Sequence, residues 1–252
     1  AKILRTEYFG LNHFGWFTKL HDTNGVDYYE TLKSYLMNND FRPYNAEQRT
    51  KSWLDTYLRV NKMMKLLPEY IPTTYLQYYF YQDEIVEESD IEYTRADETL
   101  LTREKEVWDV CAKAVGKNNL DDIEVLTNSV FGSMMIEVAE SIAYDLNNEF
   151  VIMVKNDGYI TNFNSNAMVE VVGHLNKDGV QAKVYGEIKP FYKGLMENQY
   201  AYELLTVEAY LEKDYTKALQ ALTLNRTINS IDKAKLILDD MIEVNKDYWT
   251  LN

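Results

Sequence analysis

Hydrophobic and polar positions change their period several times along the chain, and each change marks an element. Residues 4–20 alternate in two patches, Arg5-Thr6-Glu7-Tyr8 and Phe17-Thr18-Lys19-Leu20, which predicts two strands flanking a turn at His13. Asp22-Thr23-Asn24-Gly25 carries turn chemistry. Tyr28, Leu32 and Leu36 fall at helical spacing until Asn38-Asn39-Asp40 and Pro43 break the pattern. Trp53, Tyr57, Val60 and Met64 predict a longer helix that ends before Pro68 and Pro72.

Pro72 followed by Thr73 and Thr74 predicts a helix start with Tyr75 in its first turn. Tyr75 and Tyr79 share a face there, as aromatic core residues would. Glu92-Tyr93-Thr94-Arg95-Ala96 opens another helix to about Val115, with a solvated face at Arg103, Glu104, Lys105 and Glu106. Asp121 to Asn147 predicts a buried helix striped by Ile123, Leu126, Val130, Met134, Val138 and Ile142. Phe150–Val154 predicts a strand, and Met168–Val172 with Val180–Tyr185 a strand pair turning near Asp178-Gly179. His174 falls in that hairpin as a surface residue. The rest is helical, from Pro190 to about Glu212 and again from Ser230, with Ile231, Ala234, Leu238 and Met241 on one face. No repeat or low-complexity linker interrupts the pattern, so one domain is expected.

Composition narrows the function classes. Hydrophobic residues at 46% and charged ones at 26%, with four prolines in 252 residues, describe a globular chain able to bury a core. The net charge of −14 argues against nucleic acid and anionic membrane surfaces as partners. Any phosphorylated ligand must then be held by local Arg or Lys. No apolar run approaches the ~20 residues of a membrane span. The single cysteine, Cys111, excludes an internal disulfide and suits a reducing cytoplasm. Beside Trp108 and Val115 it reads as a small buried residue. Ala1-Lys2-Ile3-Leu4 runs straight into a strand, as an excised domain would.

Candidate chemistry concentrates in Tyr8-Phe9-Gly10-Leu11-Asn12-His13-Phe14-Gly15-Trp16-Phe17, where one of three histidines stands between two glycines. Glycine lets the backbone turn or approach a ligand closely. A neutral imidazole there could hold a transition metal. It could equally be a hydrogen-bonded histidine in a tight strand connection, since one histidine is not a metal site.

The run GLNHFGWF resembles the histidine motif of glycoside hydrolase family 4, and TYLQYYFYQDE resembles a motif of that family's 6-phospho-α-glucosidases. By that resemblance His13 is a metal ligand and Tyr75 the catalytic base. Arg95, in a Thr-Arg-Ala motif, contacts substrate, and Asn12 orients a substrate hydroxyl or the metal shell. The family's metal-binding cysteine lies upstream of GLNH, so Cys111 is not that residue. The implied fold is α+β, a lactate/malate dehydrogenase-like C-terminal domain with helices packed on a small antiparallel sheet.

The implied reaction is NAD- and metal-dependent hydrolysis of 6-phospho-α-glucosides such as maltose 6'-phosphate, by oxidation, elimination, addition and reduction, an exception to two-carboxylate glycosidases. NAD and Mn2+ (or another divalent metal) are the implied cofactors, and a phosphorylated disaccharide the substrate. Family members are dimers or tetramers, so a homo-oligomer is expected, in the cytoplasm. Residues 1–252 would be the C-terminal substrate- and metal-binding domain. No G-x-G-x-x-G occurs among ten glycines, so the N-terminal NAD-binding Rossmann domain is expected to be absent from this chain, which would be inactive alone. NAD-binding residues stay unassigned. The alternatives are a non-catalytic folding or oligomerisation module from a truncated or split gene, and another family branch such as an α-galactosidase or α-galacturonidase.

Overall fold

A computed structural model of the chain describes residues 4–40, 51–117 and 130–251. The two patches of alternation become strands β1 (Leu4–Leu11) and β2 (Phe14–Asp22), paired antiparallel and closed by Asn12 and His13. Between Glu7 and Tyr8 the register slips, so Glu7 faces Lys19 while Tyr8 faces Phe17. This bulge leaves Thr18 unmatched and bends the hairpin. Tyr8, Phe9 and Leu11 are all buried, so both faces of β1 are covered, which is why its sequence loses alternation there.

β1 lies centrally in a six-stranded sheet of order β3-β2-β1-β5-β4, formed with β3 (Ile71–Pro72), β4 (Asn148–Lys155) and β5 (Met168–Asn176), while β6 (Gly179–Ala182) pairs with β5. The pairings of β1 with β2 and β5, and of β2 with β3, are antiparallel. Pro72 lacks an N–H and sits on the two-residue edge strand, where that loss is tolerated. Phe9 stacks on Trp16 at 5.4 Å and meets Tyr192 edge-on at 5.7 Å, which anchors the helix Pro190–Glu212. That helix has the expected bounds. The α+β architecture is as anticipated.

Contacts divide the chain into two units, Ala1–Gln82 with Glu149–His174 and Gln181–Asn252, and Asp83–Asn148 with Leu175–Val180. In the first unit the loop after β4 wraps around Asn156, which is fully buried. Its Nδ2 donates to the carbonyls of Ile160, Phe163 and Asn164, and its Oδ1 accepts from the Ile160 amide. The last helix, Ile231–Val244, is capped by Ser230. It buries Ala234 and Leu238 but leaves Ile231 and Met241 exposed, so only half of the anticipated face is interior.

Expectations for the second unit need correction. The helix predicted to end near Val115 is a single turn Arg95–Asp97, a wider coil Glu98–Arg103, then Glu104–Lys117. Ala114 is its buried position. Trp108 and Val115 are exposed and Cys111 is half-buried. In Val130–Ala143, Met134 and Ile142 are exposed. Apolar residues surround this helix, so their spacing selects no single face. Among the described residues of this helix the fully buried one is Ser141, whose hydroxyl donates to the Leu175 carbonyl at 2.6 Å and accepts from the Asn148 amide at 3.0 Å. Ile123 and Leu126 lie outside the described residues, as does the Val130 side chain. His174 is half-buried, with Nε2 3.9 Å from the Glu149 carboxylate. No helix among the described residues is long and apolar enough to cross a membrane.

Candidate active site

The hairpin tip presents two exposed residues, Asn12 and His13, between buried Leu11 and Phe14. His13 has φ +60, a left-handed conformation uncommon outside glycine, in which histidine is among the enriched types. Below the tip, Gly10 pairs with Gly15. A Cβ on Gly10 would stand 2.5 Å from the Gly15 Cα and 2.6 Å from the Phe14 oxygen. A Cβ on Gly15 would fall on the Tyr8 hydroxyl and within 2.5 Å of its Cζ. Gly15 therefore leaves the space that the Tyr8 ring fills, and Gly10 lets the backbone of Phe14 and Gly15 approach closely.

β3 carries the second element to this tip. Trp16 pairs with Pro72 and Phe17 with Ile71. One residue on, the Thr73 amide donates to the Gly15 oxygen at 3.0 Å, and the Thr73 hydroxyl donates to the His13 carbonyl at 3.4 Å. A 3-10 turn, Thr74–Leu76, begins there and leads into the helix Gln77–Phe80. Tyr75 is in the first turn, as expected, but it is not a core residue. It is 43% exposed, while Leu76 is fully buried and Tyr79 packs edge-on against Phe14 at 4.9 Å. Instead the Tyr75 ring stacks on His13, 3.9 Å between centroids and 5° from parallel.

Behind the turn, Gln77 is buried, donating from Nε2 to the Thr56 hydroxyl at 2.9 Å and accepting from Arg59 Nη1 at 3.3 Å. These bonds tie the Tyr75 segment to the helix Lys51–Leu66.

Sequence reasoning passed over one acidic residue. Glu170 is the β5 partner of Gly10, and the Tyr8 hydroxyl donates to its Oε2 at 2.9 Å. Burial raises the Glu170 carboxyl above the usual carboxylate range, opposed by the Tyr8 hydrogen bond and by the charge of nearby His13. Burial also pushes the Tyr8 phenol above its ordinary value, so it remains the donor. A lone acid inside the apolar strand Met168-Val169-Glu170-Val171-Val172 was the available signal.

Arg95 belongs to the second unit. Its backbone opens the turn that Thr94 and Asp97 cap reciprocally, the Thr94 amide donating to Asp97 Oδ2 at 2.9 Å and the Asp97 amide to Thr94 Oγ1 at 3.3 Å. The Arg95 side chain lies outside the described residues.

Among the described residues no group of three or more His, Cys, Asp and Glu side chains could hold a metal ion. The exposed imidazole of His13 fits such an ion as one donor, with the remaining positions left to groups beyond these residues or to substrate oxygens.

Residues 8–228 match the family described as "Family 4 glycosyl hydrolase C-terminal domain". The chain belongs to that family. A 6-phospho-α-glucosidase of Leptotrichia buccalis is 41% identical over 249 residues, 98% of this chain and 56% of the relative. The maltose-6'-phosphate glucosidase MalH of Clostridium acetobutylicum is 39% identical over 250 residues, with the same shares. A crystal structure of a 6-phospho-α-glucosidase from gut microorganisms, in complex with NAD and Mn2+, superposes with a TM-score of 0.91 at 45% identity. It is matched over 99% of this chain and 57% of that one. The chain thus spans little more than half the length of these family 4 relatives.

Proposed function

We propose that the full-length protein is a cytoplasmic 6-phospho-α-glucosidase acting on substrates such as maltose 6'-phosphate. This chain would be its substrate- and metal-facing half, preceded by an NAD-binding domain and inactive alone. The observation that carries the reading is the stack of His13 on Tyr75, which puts a metal-ligand type and a base type side by side. The similar 6-phospho-α-glucosidase bound to NAD and Mn2+ supports the two cofactors. A dimer or tetramer would supply the assembled enzyme.

When bound, NAD supplies a reversible hydride acceptor for sugar carbon 3, and a divalent ion polarises the oxygen there, which acidifies the proton on carbon 2. His13 would hold the ion through a ring nitrogen. The Tyr75 oxygen would take the carbon 2 proton, and the electron pair left behind would form the double bond to carbon 1 as the glycosidic oxygen departs, taking a proton from an acid outside this chain that later takes one back from the added water. Tyr75 returns the proton when water adds at carbon 1. Exposure of Tyr75 at the surface of this chain suits a group that must meet substrate. Asn12, beside His13 at the tip, would orient a substrate hydroxyl, and Arg95 would bind phosphate or paired oxygens through its fork of donors.

The test is release of glucose 6-phosphate from maltose 6'-phosphate by full-length protein with NAD, Mn2+ and a thiol reductant. Turnover that requires all three and the 6-phosphate is expected, with none from the 252-residue chain. Equal hydrolysis of unphosphorylated maltose, or turnover without NAD, would overturn the reading.

A further inference from the structure

Between Thr73 and Gln82 the chain exposes two residues, Tyr75 and Tyr78. Tyr75 is 43% exposed and Tyr78 39%, while Leu76 and Gln77 between them are buried. The backbone accounts for the pairing. A 3-10 turn passing into an α-helix sets positions three apart on one face, with Cβ atoms about 5–6 Å apart. The other rings of the segment are engaged. Tyr79 packs on Phe14 at 4.9 Å, Phe80 lies under the Arg226 guanidinium at 5.5 Å, and Tyr81 lies under the Lys62 ammonium at 4.6 Å. Tyr78 has no ring contact, hydrogen bond or ion pair among the described residues. A ring held at the surface in this way keeps a face free for a ligand.

His13 meets the start of the same segment. The Thr73 hydroxyl donates to the His13 carbonyl at 3.4 Å, and the imidazole stacks on Tyr75 at 3.9 Å. Tyr78 lies one turn further on. We infer that Tyr78 is a specificity-determining residue, its ring forming the platform on which the leaving sugar of the phosphorylated disaccharide stacks. The inference rests on the reading of Tyr75 as the base at carbon 2. The leaving sugar is joined through oxygen to carbon 1, the next atom, so it falls within one sugar ring of the Tyr75 oxygen. The order His13, Tyr75, Tyr78 then matches carbon 3, carbon 2 and the leaving group on carbon 1. One face of a glucose ring is a row of C–H groups, which the negative face of an aromatic ring attracts. Such a surface carries no charge and suits a neutral leaving sugar.

The experiment is steady-state kinetics of the full-length protein with NAD and Mn2+ on two substrates that share the 6-phosphoglucosyl group. Maltose 6'-phosphate releases glucose, and methyl α-glucoside 6-phosphate releases methanol. Tyr78→Ala should raise the KM for the disaccharide about three- to tenfold relative to that for the methyl glycoside, with the change in KM rather than kcat. Tyr78→Phe keeps the ring and should keep the wild-type ratio. Because Tyr78 is exposed, Tm should move little in either variant. A merely structural role would move both substrates together, so an unchanged KM ratio in Tyr78→Ala would overturn the inference. A full shift in Tyr78→Phe would overturn it as well, since the stacking ring is retained. Undiminished turnover in Tyr75→Phe, or no turnover of either substrate by wild type, would instead overturn the reading on which it rests.

Discussion

His13 and Tyr75 lie ring on ring, 3.9 Å apart and 5° from parallel, although they belong to different elements. The hairpin turn projects the imidazole outward. The edge strand β3 then fixes the phenol, since the Thr73 amide bonds the Gly15 oxygen two residues before Tyr75. The alignment is thus a product of strand pairing, and a side-chain change that keeps both rings should keep it.

Tyr75→Phe retains the ring and removes only the hydroxyl. In the full-length enzyme it should lower kcat by about a thousandfold, the scale of a lost general base, and leave the Mn2+ Kd unchanged. Steady-state kinetics beside a Mn2+ titration check both. Because Tyr75 is exposed, Tm should move little.

Gly15→Ala should destabilise the fold by about 3 kcal/mol, the scale of overpacking in a tight interior. Its Cβ meets the Tyr8 ring and also the Phe9 carbonyl at 2.8 Å, and backbone cannot swing aside. Urea denaturation measures the loss.

Glu170 carries a pH dependence of known sign. Its carboxyl is raised in the folded state, so the native protein binds that proton more tightly than the unfolded chain does. The resulting stabilisation is full below the unfolded value and is lost as pH rises through the folded one. With no metal added, Glu170→Gln should therefore have a higher Tm than wild type near pH ~7 and an equal one near pH ~4. Thermal melts across that range test it.

Asn156→Ala should cost about 4 kcal/mol, since one buried amide makes four hydrogen bonds and its loss strands their backbone partners. A fall in Tm of roughly 10 °C is expected for a domain of this size.

Much of this was legible in the residues. Alternation around His13, the proline and threonines ahead of Tyr75, and Pro190 opening the long helix are local signals, and local structure followed them. The His13–Tyr75 contact was not local: it depends on the pairing of Trp16 with Pro72, which no periodicity encodes. Tyr79 and Tyr75 shared a predicted face yet divided between core and surface, because the segment opens as a tighter 3-10 turn. The stripe through Met134 and Ile142 misled for a different reason, apolar side chains being present all round that helix. Ser141 was buried instead, through hydrogen bonds that hydropathy does not see.

The space under the hairpin tip ties positions 8 and 15 into a single steric unit. A scan that alters one residue at a time would score each as intolerant and report two separate requirements. The requirement is shared: a large ring at one position is the reason for the missing side chain at another. Variation here should therefore be sought in coordinated exchanges, where a smaller residue at 8 accompanies a larger one at 15, and libraries built from single replacements will miss it.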